Sequence, residues 1–133
     1  MPPELDMVLR LLLATALGAI IGYQRERAGK EAGLRTIVLI CVGAALFTIT
    51  SIYAFGAEAD PSRVAAGIVA GVGFLGAGAI IRRGEGMVAG LTTAATIWAA
   101  AGIGMAAGAG FYLISAVATA IILIILLLPH PIS

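Results

Sequence analysis

Apolar and polar positions along this chain fall into blocks, not into residue-by-residue alternation. Five apolar stretches, at about 5–23, 34–55, 62–81, 91–107 and 111–128, are separated by short segments that hold most of the charges. A helix of about 20 apolar residues is what the hydrocarbon core of a bilayer requires. The expected fold is therefore all-α: a polytopic membrane bundle of five transmembrane helices in a single domain, residues 1–133.

Small residues suggest how the spans pack. Ala14, Gly18 and Gly22 recur every four residues, which puts them on one face of span one as a seam for a neighbour. Span three carries Gly67 and Gly71 as a G-x-x-x-G pair. Its continuation from Gly71 to Ile81 includes Gly73, Gly76 and Gly78, and is expected to form the tightly packed centre of the bundle. Span four opens Thr92-Thr93-Ala94-Ala95-Thr96 and closes Gly102-Ile103-Gly104. It is too small-sided to face lipid all round, so it belongs inside. Trp98, near the middle of span four, is expected in the core. Gly108-Ala109-Gly110 reads as a tight turn, and the aliphatic run Ile121 to Leu128 as a lipid-facing surface. Asp60-Pro61 reads as a helix start, with Asp as N-cap and Pro at the first helical position. Ser115 and Thr119 share a face and are expected to bond to backbone.

Composition removes the soluble alternative. Hydrophobic residues make up 61% of the chain and charged residues 11%, with a mean hydropathy of +1.09; soluble domains carry about 25% charged residues. The net charge of +1, without a basic stripe interleaved with aromatics, excludes nucleic acid as the expected partner. The single cysteine, Cys41, has no intrachain disulfide partner. The first span is preceded by Glu4 and Asp6 rather than by basic residues, so it reads as retained and not as a signal peptide. The segment 24–36 holds four of the eight basic residues, and Arg82 and Arg83 sit in the third loop. The positive-inside rule then places loops one and three in the cytoplasm, the N-terminus outside and the C-terminus inside. No internal repeat supports an inverted-repeat transporter.

Four segments stand together in a recognisable order. They are Gly22-x-x-Arg25, Ala32-Gly33-Leu34-Arg35-Thr36, Gly73-Phe74-Leu75-Gly76-Ala77-Gly78, and Val88-x-Gly90-Leu91-Thr92-Thr93-Ala94-Ala95-Thr96-x-Trp98. With them the chain resembles the Mg2+ transporter-C family, also called MgtC/SapB, over nearly its whole length. The resemblance implies a bacterial inner-membrane protein with a five-span domain. It also implies a link to growth at low Mg2+ and, in some pathogens, to virulence inside macrophages. In some members the role it implies is regulatory, acting on the rotary ATP synthase or on phosphate and cation uptake. Many members carry a C-terminal domain resembling an ACT domain, which is not expected within this sequence. The chain departs from the family pattern at Gln24, where Glu is common, and at Gly67, where Gln is common. It departs also at Thr92 and Ala99, where some members have Asn and Cys.

The residues themselves leave two chemistries open. Mg2+ takes near-octahedral oxygen ligands and sheds water reluctantly. The acids Glu4, Asp6, Glu26, Glu31, Glu58, Asp60 and Glu85 all lie away from mid-membrane. A Mg2+ path would have to use glycine-freed carbonyls and the hydroxyls of Thr92, Thr93 and Thr96. Alternatively, Arg25, Glu26 and Arg35 cluster near the start of span four, as an anion-contacting or docking surface or as a structural ion-pair group. Arg10 is either an interfacial anchor paired with Asp6 or an arginine facing the bundle. No nucleophile–base arrangement points to an enzyme, and the one histidine, His130, is in the tail. Functional candidates are Arg25, Glu26, Arg35, Thr36, Asp60, Arg63, Arg82, Thr92, Thr93 and Thr96. Gly67, Gly71, Gly73, Gly76, Gly78 and Gly90 are assigned to packing. The expected role is regulatory, in Mg2+ homeostasis, through the bilayer, other membrane proteins and a homodimer built on the span-three or span-one seam. A cation transporter is the alternative, a lipid or small-metabolite carrier a third class. No cofactor is expected, unless Mg2+ itself binds.

Overall fold

The computed structural model describes residues 3–81 and 90–129, apart from the side chain of Ile81. Arg82, Arg83, Glu85, Val88 and His130 lie outside the described residues. The described chain is all helical: α1 (Pro3–Arg27), α2 (Leu34–Tyr53), α3 (Ser62–Ile81), α4 (Leu91–Gly108) and α5 (Tyr112–Leu127). The first four are long and apolar enough to cross a membrane, and α5 is shorter. At 1.5 Å per residue, the 16 residues of α5 reach about 24 Å.

Helix α1 runs past the end of its apolar stretch at Tyr23 and continues to Arg27. Gln24 to Arg27 are ordinary helix formers, and Arg25 and Arg27 complement the negative end of the helix dipole. The helix closes with Lys30 N–H on the Arg25 carbonyl at 3.0 Å. At the start of α3, an Asp60 carboxylate oxygen accepts from the Ser62 amide at 3.0 Å and the Ser62 hydroxyl at 2.7 Å. The expected Asp cap is thus in place.

Helix α4 is the hub and touches every other helix, while α3 and α5 flank it without touching each other. Glycine seams explain how α2 comes so close to its neighbours. A methyl group at Gly18 of α1 would lie 3.0 Å from Cys41 Cβ, and one at Gly22 would lie 2.8 Å from Leu34 Cα. On the other side of α2, a methyl at Gly108 would lie 2.7 Å from the Ala45 carbonyl oxygen, and one at Gly104 would overlap the Cys41 carbonyl. Lipid tails are as apolar as the side chains they touch, so close backbone packing of this kind is what holds membrane helices together. The mid-bundle core consists of Leu17, Ile21, Ile37, Cys41, Ile97, Ala100 and Ile103. The Cys41 thiol donates to the Ala100 carbonyl at 3.2 Å. Ser115 and Thr119 bond to the carbonyls of Tyr112 and Ser115.

Two expectations are corrected. The glycine run of α3 is not the packed centre. Methyl groups at Gly67, Gly71, Gly73 and Gly78 would meet nothing within 4 Å, and only Gly76 approaches a neighbour, Ala94, at 3.4 Å. The reason is that α3 joins the bundle mainly along one edge of α4, which leaves its small-residue side open. Trp98 is also not in the core, being 56% exposed. The inward sides of α4 are Ala100, Ala101 and Gly104, pressed against α2 and α3, and leave no room for an indole. The ring instead lies on an open strip beside α3, in a cleft with Ile68, Val69 and Gly102.

Candidate functional site

The polar chemistry gathers at the two ends of the bundle, around two buried arginines. At one end, Arg10 of α1 forms an ion pair with Asp6 at 2.7 Å. It also donates from Nη1 to the Gly108 carbonyl at 2.9 Å, satisfying one of the last carbonyls of α4. Its guanidinium lies 5.3 Å from the centroid of the Tyr53 ring, and the Tyr112 hydroxyl donates to the same Asp6 carboxylate. The turn between α4 and α5 wraps this cation. Gly110 has φ +88, and a methyl there would lie 3.0 Å from Arg10 Nη2. Arg10 therefore fulfils both readings of the sequence, pairing with Asp6 while facing the bundle. Tyr53, Tyr112 and Gly108 were not legible as its partners; the one signal available was the Asp6–Arg10 spacing of four.

At the other end, Arg25 is only 2% exposed. It donates from Nη2 to the Glu31 carbonyl at 2.8 Å and to the Thr93 hydroxyl. A carboxylate oxygen of Glu26 accepts from the Leu34 amide at 3.1 Å and so caps α2. Thr93 and Thr96 are buried, and Thr96 returns its hydroxyl to the Thr92 carbonyl at 2.7 Å. The first turn of α4 begins at Gly90, with φ +93 and no side-chain cap. A methyl at Gly90 would lie 3.2 Å from the Ala79 carbonyl, which ties this turn to α3.

The structure thus brings Arg25, Glu26, Thr92, Thr93, Thr96 and Gly90 together, but not Arg35. Ile37 points into the core, so Arg35, two residues earlier, falls on the opposite side of α2 and is exposed. Thr36 is exposed beside it, in a cleft shared with Glu31, Phe74 and Thr93. Asp60 and Arg63 stand at the Arg10 end, on the loop before α3 and its first turn. Hydrogen bonds from the Ser62 hydroxyl and amide hold the Asp60 carboxyl below its ordinary value. Among the described residues no group of three or more His, Cys, Asp or Glu side chains could hold a metal ion.

These segments also carry a likeness to known proteins. A model of the MgtC family matches residues 11–133. The chain belongs to the MgtC family. Protein SapB of Bacillus subtilis is 46% identical over 114 residues, covering 80% of this chain and 49% of SapB. Protein MgtC of Salmonella typhimurium is 48% identical over 116 residues, covering 87% of this chain and 49% of that protein. YhiD of Escherichia coli K12, whose name marks it as a candidate magnesium transporter, is 44% identical over 135 residues, 96% of this chain and 62% of YhiD. The chain thus spans about half to three-fifths of the length of these curated relatives. No solved structure matches it significantly. Membership of the MgtC family and several apolar helices of spanning length make it a multi-pass membrane protein.

Proposed function

We propose that this MgtC-family chain is a regulatory inner-membrane protein of Mg2+ homeostasis and adaptation to low Mg2+, acting through contacts with other membrane proteins. The names of its relatives support the link to Mg2+. The observation that carries the regulatory reading is the open groove between α2 and α3. It measures about 590 Å3, is lined by Gly43, Gly67, Gly71, Leu39, Phe47 and Leu75, and is almost wholly apolar. Glycines there admit the backbone of another helix, as they do where α1 and α4 meet α2. The homodimer belongs to this proposal: Gly18 and Gly22 of the span-one seam are spent inside the chain, so α3 is the face left to self-association or to a partner. Loops one and three are placed in the cytoplasm on their basic residues.

Transport of Mg2+ is the second reading, favoured by the buried hydroxyls of Thr93 and Thr96 near the membrane surface. The mid-bundle residues Leu17, Ile21, Ile97 and Ile103 weigh against it, because they pack together into an apolar core.

The test has two arms. A strain lacking its own copy is grown at limiting Mg2+ with the chain or its Gly71→Leu variant, which fills the groove. The regulatory reading expects rescue by the chain and loss of rescue by the inserted, folded variant. In the second arm, Mg2+ uptake is measured into proteoliposomes. Saturable uptake above empty vesicles, lost in Thr93→Val, overturns the regulatory reading in favour of transport.

A further inference from the structure

Two arginines near the end of α1 face different surroundings. Arg25 is buried, and lines a cavity of about 430 Å3 together with Ile125 and Leu126. Arg27 is exposed, and lines another groove, of about 670 Å3, between α1 and α5. Ile20 and Tyr23 share the α1 wall of that groove with Arg27, and Leu123 and Leu127 belong to the α5 wall. Ile20, Tyr23 and Arg27 follow one another at spacings of three and four, so they form a single stripe along α1. Towards the helix end this stripe runs from aliphatic, through an aromatic ring with a hydroxyl, to a cation. A phospholipid presents the complementary order, from acyl chain through the interfacial region to the phosphate.

The cation is positioned by its neighbour. The Arg27 guanidinium lies 5.8 Å from the centroid of the Tyr23 ring, and its Nη1 donates to the Tyr23 hydroxyl at 3.5 Å. A guanidinium carries several N–H donors in a planar fork, so this contact leaves others for a phosphate, and the Tyr23 hydroxyl keeps a proton to donate. The walls decide between a lipid and a helix as occupant. Helices approach closely over small residues, as α2 is approached at Gly18, Gly22, Gly104 and Gly108. The apolar part of this groove is walled instead by Ile20, Leu123 and Leu127, along which a flexible acyl chain can lie.

We propose that the α1–α5 groove holds an anionic phospholipid, its phosphate on Arg27 and the Tyr23 hydroxyl and an acyl chain along Ile20, Leu123 and Leu127. Charge complementarity selects the headgroup. Among the described residues that line the groove, Arg27 is the charged one, and a net negative headgroup meets it without the quaternary ammonium that choline places beside the phosphate. The inference goes beyond both regulation and transport, because it uses neither the α2–α3 groove nor a path through the core.

The test uses the full chain, purified in mild detergent, with phosphatidylglycerol and phosphatidylcholine as probes and native mass spectrometry as the readout of bound lipid. Arg27→Gln removes the cation, and Leu127→Trp narrows the groove. Arg35→Gln removes an exposed arginine at the start of α2, at the same end of the bundle but outside the groove. All three side chains are exposed, so unfolding without added lipid is expected to match that of the unsubstituted chain. The unsubstituted chain is expected to retain phosphatidylglycerol over phosphatidylcholine by about tenfold. Arg27→Gln should abolish the preference, Leu127→Trp should reduce retention of both lipids, and Arg35→Gln should leave both as they were. No preference in the unsubstituted chain, a preference that survives Arg27→Gln, or one that Arg35→Gln removes equally overturns the proposal. So does a lipid-free dimer in the same spectra that Leu127→Trp splits, which puts a second copy of the chain in the groove.

Discussion

The guanidinium of Arg25 on α1 donates to the hydroxyl of Thr93 on α4, 68 residues further along the chain. Thr93→Val keeps the shape of the side chain and removes the acceptor, leaving a buried cation short of a partner. The expected loss is about 1.5–3 kcal/mol of stability, the range for hydrogen bonds to charged groups. Thr93→Ser should retain most of it. Thermal or denaturant unfolding in detergent of the three proteins checks this, and equal stability of Val and wild type would show that the bond contributes nothing.

At the opposite end, Arg10 spans two acceptors at once, the Asp6 carboxylate and the Gly108 carbonyl. A lysine at this position has the charge without the planar fork and can serve only one of them well. Arg10→Lys should therefore fall between wild type and Arg10→Ala in unfolding temperature. The alanine variant is expected to lose about 1.5–3 kcal/mol. A lysine variant as stable as wild type would place the contribution in charge alone.

Glycines on one helix separate cleanly into two kinds. Gly104→Ala presses a methyl group onto the Cys41 carbonyl and should cost about 1–3 kcal/mol as the helices are forced apart. Gly102→Ala, two residues earlier on the open strip, meets nothing within 4 Å and should shift stability by less than about 1 kcal/mol. Measuring both in the same detergent tests the seam, and similar effects at the two positions would deny it.

Acid should undo the start of α3. The Asp60 carboxyl is held below its ordinary value by hydrogen bonds from the Ser62 hydroxyl and amide, with a further contribution from Arg63. A group depressed in the folded state contributes stability that is fully present above its unfolded value, about 3.9. That contribution is lost as pH falls through the folded value. The stability difference between wild type and Asp60→Ala should thus be constant near neutral pH and shrink below about pH 4. A difference unchanged from neutral pH to pH 2 would mean that the carboxylate form plays no part in the cap.

Much of this fold could be read in advance because its signals are local. Charged loops between apolar runs mark five helices, and Asp60-Pro61 marks where the third begins. Span four announced itself as the interior helix by being small-sided and weakly apolar. The errors arose where local composition had to stand for spatial neighbours. Gly67 and Gly71 say that a backbone can come close; they do not say whether it belongs to this chain. Depth along the helix points Trp98 to the core, whereas direction around the helix axis decides burial. Arg35, like Arg25, stands in one of the four family-like segments, but the rotation of α2 fixed by Ile37 turns it outward. The cavity that Arg25 lines together with Ile125 and Leu126 was not legible at all, because these residues stand 100 and 101 positions further along the sequence.

The order of contacts has a consequence for how the protein is made. The chain emerges N-terminus first. Helices α1 and α2 are sequence neighbours that interlock through Gly18 and Gly22, so they can pair as a hairpin during synthesis. Helix α3 touches α2 only lightly and finds its main neighbour in α4. It must therefore wait in the bilayer, or beside an insertase, until the ribosome has delivered the helix to which it attaches.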